Sequence, residues 1–307
     1  MQAQTHPRSA GRTQEGTVWP PQFPIGLALI AVAWPTAWFG SPPYSEYTFF
    51  PLWFGYILTV DGVVRRRTGT SLLSRSPARF ALLFGYSVAF WWVFEGINGV
   101  VGNWRYAMTS DYGPVAYAAL ASLAFSTVVP AVFETAEFYR SLPFFARPKR
   151  WWRIDPGPGG LLALMLLGGA MVLLTALYPR QAFPLVWLSV FFVVDPLNAL
   201  TGGESIAARV ARGSWTTVWV LFAAGITCGF FWEMWNFWSM PKWVYDVPYV
   251  AEPKLFEMPL LGYGGYPPFA LEIYAVYQTL HALLFRRRDT YLTFDQLPDD
   301  ATGPSVR

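Results

Sequence analysis

Eight apolar runs, separated by polar or proline-rich gaps, dominate the chain at roughly 23–40, 47–64, 80–101, 113–138, 159–178, 182–200, 214–238 and 265–285. Each is close to the ~20 residues an α-helix needs to cross ~30 Å of hydrocarbon. The pattern predicts an all-α, polytopic membrane protein of about eight transmembrane helices. The polar start, Met1 to about Gln22, contains neither a short apolar core nor a small-residue cleavage site. The first run is therefore read as a retained anchor rather than a signal peptide. The stretch from Trp238 to Pro268 is too polar and proline-rich to cross a bilayer and is expected to cover the outer mouth as a lid.

The charges sort by gap. Tails and even-numbered gaps carry eighteen Lys and Arg, including Arg8, Arg12, the Arg65–Arg67 run, Arg75, Arg140, Lys149, Arg150, the Arg286–Arg288 run and Arg307. Odd-numbered gaps carry four: Arg105, Arg180, Lys242 and Lys254. By the positive-inside rule both termini face the cytoplasm. The arginine clusters read as membrane anchors rather than as a nucleic-acid surface. The expected organisation is a cytoplasmic tail (1–22), a first membrane unit (23–145), a cytoplasmic linker (146–158), a second unit (159–285) with its lid (239–266), and a cytoplasmic tail (286–307). The stretch after Arg288 reads as polar and mobile. The expected location is a bacterial cytoplasmic membrane.

The two units resemble each other. PLWFGYILTVDGVVRRRTGTSLLSR, from Pro51, aligns with PLVWLSVFFVVDPLNALTGGESIAAR, from Pro184, placing Asp61 on Asp195 and Gly69 on Gly202. Glu95 and Asn98 fall on Glu233 and Asn236, Trp104 and Tyr106 on Trp243 and Tyr245, and Pro130 and Glu134 on Pro268 and Glu272. Ordered coincidences in Asp, Glu, Asn, Pro and Trp point to a duplication. Four helices return the chain to its starting side, so the copies are expected to be parallel, related by a twofold axis along the membrane normal.

Composition narrows the chemistry. The chain is 54% hydrophobic and 13% charged, against about 25% charged in soluble domains. Aromatic residues make up 19%, with 16 Trp, as suits membrane interfaces and apolar ligands. Cys228 is alone, which excludes an internal disulfide, a thiolate cluster and a CxxC pair. His6 lies in the polar tail, so His281 is the sole histidine of the apolar region and a bis-His haem is excluded. His281 reads as a hydrogen-bonded helix residue. No metal site or cofactor is expected. No intramembrane DxxxD or DDxxD pair, Walker loop, HExxH, GxSxG or GxGxxG occurs, which argues against prenyl-diphosphate ionisation, ATP hydrolysis, zinc proteolysis and elbow-type hydrolysis.

Ionisable residues inside a bilayer are costly and face a cavity or a partner. Glu95 stands near the outer end of the third helix with Asn98 one turn on, and Glu233 and Asn236 repeat this among Trp232, Trp235 and Trp238. Apolar surroundings favour the neutral carboxyl, which can then donate a proton. A structural Glu–Asn bond that fixes helix packing is the alternative. The lid brings Trp243, Tyr245, Asp246 and Glu257 towards Glu233, and Glu272 sits one turn inside the Pro267–Pro268-led helix. Glu233 and Glu272 facing one aromatic cavity would suit acid–base chemistry, or form a structural contact. Pro130 and Glu134 are expected near the cytoplasmic end of an unbroken fourth helix, which makes the first unit mainly scaffold. Asp61 and Asp195 are expected to pair with arginines or cap helices.

An Asp closing the second helix, an acidic residue on an aromatic helix, a Trp-x-aromatic pair and a Pro-led helix with Glu recur in each unit. This order, at Asp195, Glu233, Trp243, Tyr245, Pro268 and Glu272, resembles the small membrane lycopene cyclase domain of bacterial and fungal carotenoid pathways, which also occurs in pairs. The family's last motif has two adjacent acidic residues, where this chain has Glu272 alone, and its domain has about three helices. The resemblance implies cofactor-free cyclisation or isomerisation of a carotenoid-like isoprenoid: a carboxyl protonates a polyene, aromatic faces stabilise the cation, and a second group removes a proton. Glu233 and Glu272 are the expected acid and base, with Asn236 orienting Glu233. Trp232, Trp235, Trp243 and Tyr245, with Glu95 and Asn98 from the first unit, would hold the substrate. The alternative is a non-catalytic protein that binds a carotenoid, quinone or lipid, assembles a membrane complex, or transports a small molecule.

Overall fold

The computed structural model describes residues 18–108, 110–285 and 289–294. The chain is a mostly helical, multi-pass membrane protein with six helices long and apolar enough to cross a membrane among the described residues. Those six are α1 (Gln22–Phe39), α4 (Pro77–Val101), the α5–α6 pair (Pro114–Phe125 and Val128–Arg140), α8 (Gly157–Leu177), the segment holding α9 and α10 (Pro179–Ala182 and Val186–Leu200), and α12 (Thr216–Asn236). Two further 20-residue helices, α2 (Phe49–Thr68) and α13 (Tyr266–Phe285), also follow apolar runs. They are less apolar because α2 carries Asp61 and Arg65–Arg67, and α13 carries Glu272, Gln278 and His281. Short helices α3 (Leu72–Arg75), α7 (Pro143–Ala146) and α11 (Ile206–Ala211) sit in the connections.

The connections after α2 and α10 are built alike. A glycine in the left-handed region ends each turn, Gly69 at φ +84° and Gly202 at φ +76°, where a side chain would be strained. A buried aspartate then caps the next short helix. Asp61 accepts from the Leu73 amide at 3.0 Å, the Ser71 hydroxyl at 2.9 Å and the Gln22 side chain at 2.8 Å. Asp195 accepts from the amides of Ile206 at 2.7 Å and Ala207 at 2.8 Å. Both carboxylates cap these short helices, while Arg75 forms an ion pair with Glu137 and Arg209 one with Glu204.

Helix pairs approach closely where glycines allow it. A Cβ on Gly26 of α1 would lie 2.5 Å from the Gly55 carbonyl of α2, and one on Gly168 of α8 would lie 2.9 Å from the Ser189 carbonyl of α10. The central core is made by α2, α4, α6, α12 and α13, which bury Trp53, Phe94, Phe133, Leu221, Phe269 and Tyr274. Two short strands, β1 (Trp104–Ala107) after α4 and β2 (Lys242–Tyr245) after α12, pair antiparallel with Trp104 opposite Tyr245 and Tyr106 opposite Trp243. The segment between α12 and α13 holds β2, the small β3–β4 hairpin (Lys254–Leu255 and Met258–Pro259) and a 3-10 turn over Leu260–Gly265.

Two expectations are corrected. The fourth helix is broken: α5 stops at Phe125 and α6 restarts at Val128. The buried Ser87 hydroxyl of α4 donates to the Phe125 carbonyl at 2.5 Å and accepts from the Val129 amide at 3.0 Å, which satisfies two groups freed by the break. Pro130 therefore stands in the first turn of α6, as Pro268 does in α13, rather than deep in a continuous helix. The stretch after Arg288 is also not polar and free over 289–294. Tyr291, Leu292 and Phe294 are buried, and Arg75 donates to the Tyr291 carbonyl at 2.9 Å while Glu137 accepts from the Thr293 amide at 2.6 Å. His6, Arg8, Arg12, Arg286–Arg288 and Arg307 lie outside the described residues.

Candidate functional site

The C-terminal ends of α4 and α12 each present a carboxyl to the strand that follows. On α12, Glu233 is fully buried, and its Oε1 accepts from the Tyr245 hydroxyl at 2.7 Å, the Tyr266 hydroxyl at 2.5 Å and the Trp243 indole at 3.4 Å. Its Oε2 has no hydrogen-bond partner among the described residues. On α4, Glu95 is half-buried, and its Oε1 accepts from the Tyr106 hydroxyl at 2.5 Å, the Trp91 indole at 3.0 Å and the Trp104 indole at 3.2 Å.

An asparagine one turn later positions each strand. The Asn236 amide donates to the Trp243 carbonyl at 2.8 Å and its oxygen accepts from the Trp243 amide at 2.9 Å. Asn98 does the same for Trp104, at 2.8 and 3.2 Å. Each side chain thus acts as a ladder neighbour for one tryptophan and aims that indole at the carboxyl. Asn236 serves Glu233 through Trp243, not by touching it. Burial, and after it the adjacent carboxyls, push the Tyr245 and Tyr106 hydroxyls well above the ordinary phenol range, so both remain donors.

A cavity of about 280 Å³ lies between these clusters and α5. The first half contributes Trp91, Trp104, Tyr106 and a face of α5; the second contributes Trp187, Trp232, Trp243, Tyr245, Tyr266 and Phe269. The wall is a connected aromatic cluster: Phe269 meets Phe94 at 5.4 Å, Trp91 at 5.7 Å and Trp187 at 5.8 Å between ring centroids. Glu233 and Glu46 border the cavity. Among the described residues, no group of three or more His, Cys, Asp or Glu is arranged to hold a metal ion.

The structure brings Glu233, Trp232, Trp243 and Tyr245 together at this wall, with Asn236 behind them. Glu95 and Asn98 stand behind Trp104 and Tyr106 rather than on the cavity. Trp235 is elsewhere: it packs against Trp34, Trp53 and Tyr56, joining α12 to α1 and α2. Glu272 is not brought to the cavity either. It lies six residues beyond Tyr266, about 9 Å along α13 and two-thirds of a turn around it. There it is buried against α10, with Oε1 3.4 Å from the Phe191 amide and Oε2 without a partner among the described residues. Asp246 donates its amide to the Asn103 carbonyl, and Glu257 pairs with Lys242. His281 stands 3.6 Å from Asp289 at the other end of α13.

Sequence reasoning missed Tyr266, Trp187, Phe269 and Glu46. Tyr266 had one readable signal, its place directly before Pro267–Pro268 at the start of a helix. Its access to Glu233 depends on Gly229, where a Cβ would lie 2.3 Å from the Tyr266 ring. Compared with protein-family models, curated proteins and solved structures, the chain gave no match.

Proposed function

We propose that this membrane protein takes one end of a carotenoid-like isoprenoid into the aromatic cavity and cyclises or isomerises it by proton transfer from Glu233. The observation that carries the reading is the asymmetry of the Glu233 carboxyl. Three donors saturate Oε1, while Oε2 is buried without a partner among the described residues, beside the aromatic rings of Trp232, Trp243, Tyr245 and Tyr266. A carboxylic acid with its proton on Oε2 fits this arrangement. The proton would add to a terminal carbon–carbon double bond, leaving a tertiary cation. An inner double bond would close on that cation to form the ring, and a neighbouring C–H would return its proton to the Glu233 carboxylate. Atoms balance as an isomerisation, with no oxidant or reductant. Trp187, Trp232 and Phe269 offer electron-rich faces to the cation. Because Glu272 is off the cavity, the same carboxyl serves in both proton steps.

The reading includes the architecture: eight crossing helices, two parallel four-helix repeats and both termini in the cytoplasm. The β1–β2 ladder supports the repeat. Trp104 faces Tyr245 while Tyr106 faces Trp243, the reciprocity of a twofold axis if Trp104 corresponds to Trp243 and Tyr106 to Tyr245. Reporter fusions after residues 70 and 150 are expected to report cytoplasm and one near 252 the outside; a cytoplasmic signal at 252 would overturn the orientation.

The position of Glu272 favours a second reading, a carotenoid-, quinone- or lipid-binding protein with no reaction. Proteoliposomes carrying a linear polyene separate the two. Glu233→Gln keeps the shape and removes the proton, so turnover is expected to fall about 10²–10⁴-fold while the polyene is retained. Unaltered protein that retains the polyene without ever converting it establishes the binding reading.

A further inference from the structure

We propose that the cavity is filled sideways from the bilayer, through a slot between α5 and the start of α2, by the end of a linear hydrocarbon whose remaining length stays in the membrane. This rests on the reading of the cavity as an isoprenoid site and adds the route and the part of the substrate that enters. The slot is traced by side chains that border the cavity and are also open to the outside: Tyr47 at 52%, Met108 at 43% and Leu123 at 46% exposure. Tyr47 and Met108 lie at the outer end. Leu123 is nine residues below Pro114, about 14 Å down the helix at 1.5 Å per residue, well inside the hydrocarbon depth.

The walls suit a hydrocarbon guest. The α5 helix, PVAYAALASLAF, holds no charge, and its outward positions Val115, Ala116, Ala118 and Ala119 are exposed and apolar. Facing α5 across the slot are Phe50 and Pro51 of α2. Hydrogen bonds to neighbouring elements tie the helix near its inner end and the segment just before its outer end. At its inner end Trp92 donates to Ser122 at 3.0 Å and packs on Phe125. At its outer end Glu46 accepts from the Ser110 and Tyr112 hydroxyls, each at 2.6 Å. Burial and the Glu46 carboxylate push the Tyr112 hydroxyl up to about 12, so it stays a donor and that end stays tied. The tie narrows the aqueous side and leaves the lipid-facing flank as the route. The cavity, at about 280 Å³, falls just below the ~300–1,000 Å³ range of pockets that engulf a drug-sized ligand. A long polyene exceeds it, so one end group enters and the chain trails into the bilayer.

The test loads the full-length protein in lipid vesicles with a long linear polyene, lycopene, or with a short prenyl alcohol, geraniol, and measures each probe retained after extraction and affinity capture. Leu123→Trp, a bulky change at an already exposed rim position, is expected to slow lycopene loading about tenfold or more while geraniol stays within about twofold. Ala118→Trp, on the lipid-facing side of α5, is expected to leave both unchanged. Should Leu123→Trp fold poorly, Phe50→Ala widens the slot and is expected to quicken lycopene loading. Unaltered lycopene loading in Leu123→Trp, or in Phe50→Ala, overturns the lateral route while leaving the cavity reading intact. Unaltered protein that retains neither probe removes both.

Discussion

The Glu95 and Glu233 clusters are two versions of one local design that end in different surroundings. In each, a helix-end carboxyl accepts from the tryptophan and tyrosine of the next strand, and an asparagine one turn on holds that strand by both backbone groups. They part at the position four residues before the carboxyl. Trp91 fills that place beside Glu95 and donates to it from the same helix. Gly229 leaves it empty beside Glu233, and the Tyr266 ring from α13 comes in instead. The consequence is a difference in burial and address. Glu95 is half-buried behind its aromatic neighbours, whereas Glu233 is sealed between two helices and borders the cavity. A single small residue, read against its tryptophan counterpart, decides which carboxyl a second helix can reach.

The largest expected effect breaks the comparison at the carboxyls. Glu233→Gln removes the proposed acid and should lower polyene turnover about 10²–10⁴-fold, whereas Glu95→Gln, away from the cavity, should cost less than about tenfold in the same assay. Equal losses in the two variants would falsify the functional division between the halves.

Next comes the residue that creates the difference. Gly229→Ala places a methyl group into the Tyr266 ring, so α12 and α13 must separate or the ring must leave Glu233. Overpacking of this kind costs about 1–3 kcal/mol, visible as a lower melting temperature and reduced turnover. Trp91→Phe removes only one donor to Glu95 and should cost about 1 kcal/mol. A Gly229→Ala protein as stable and active as the unaltered one would show that Tyr266 is not wedged as described.

The asparagines test the shared part of the design. Asn236→Ala and Asn98→Ala each leave a strand amide and carbonyl without a partner, at about 1–3 kcal/mol. Asn236 is buried and Asn98 half-buried, so the α12 variant should lose more stability in a thermal melt. Asn236→Ala should also reduce turnover, because Trp243 is no longer aimed at Glu233; the reverse order of stabilities would count against the burial argument.

The smallest effect belongs to a feature found on one side alone. Lys242 pairs with Glu257 in the segment between α12 and α13, both partly exposed, and across the ladder it faces Ala107. Glu257→Gln should cost about 0–1 kcal/mol, as for other solvent-accessible ion pairs. A loss of several kcal/mol in a melt would mean that this segment depends on that pair.

Much of this was written locally in the chain. The apolar runs placed the helices because a bilayer-length segment must satisfy its own backbone hydrogen bonds, and spacing put Glu233, Asn236, Trp243 and Tyr245 within one helix-to-strand turn. What tertiary structure alone decided lies across long separations or depends on which way a helix is turned. Ser87, 42 residues from Val129, steadies the break that splits α5 from α6, and no periodicity announces such a break when the apolar run continues through it. Tyr266 reaches Glu233 from 33 residues away because Gly229 is small. The rotation of α13, set by its packing against both α10 and α12, carries Glu272 away from the cavity and turns Tyr266 and Phe269 towards it. Sequence spacing gives the depth of a side chain along a helix; only the packed neighbours give its bearing around the axis.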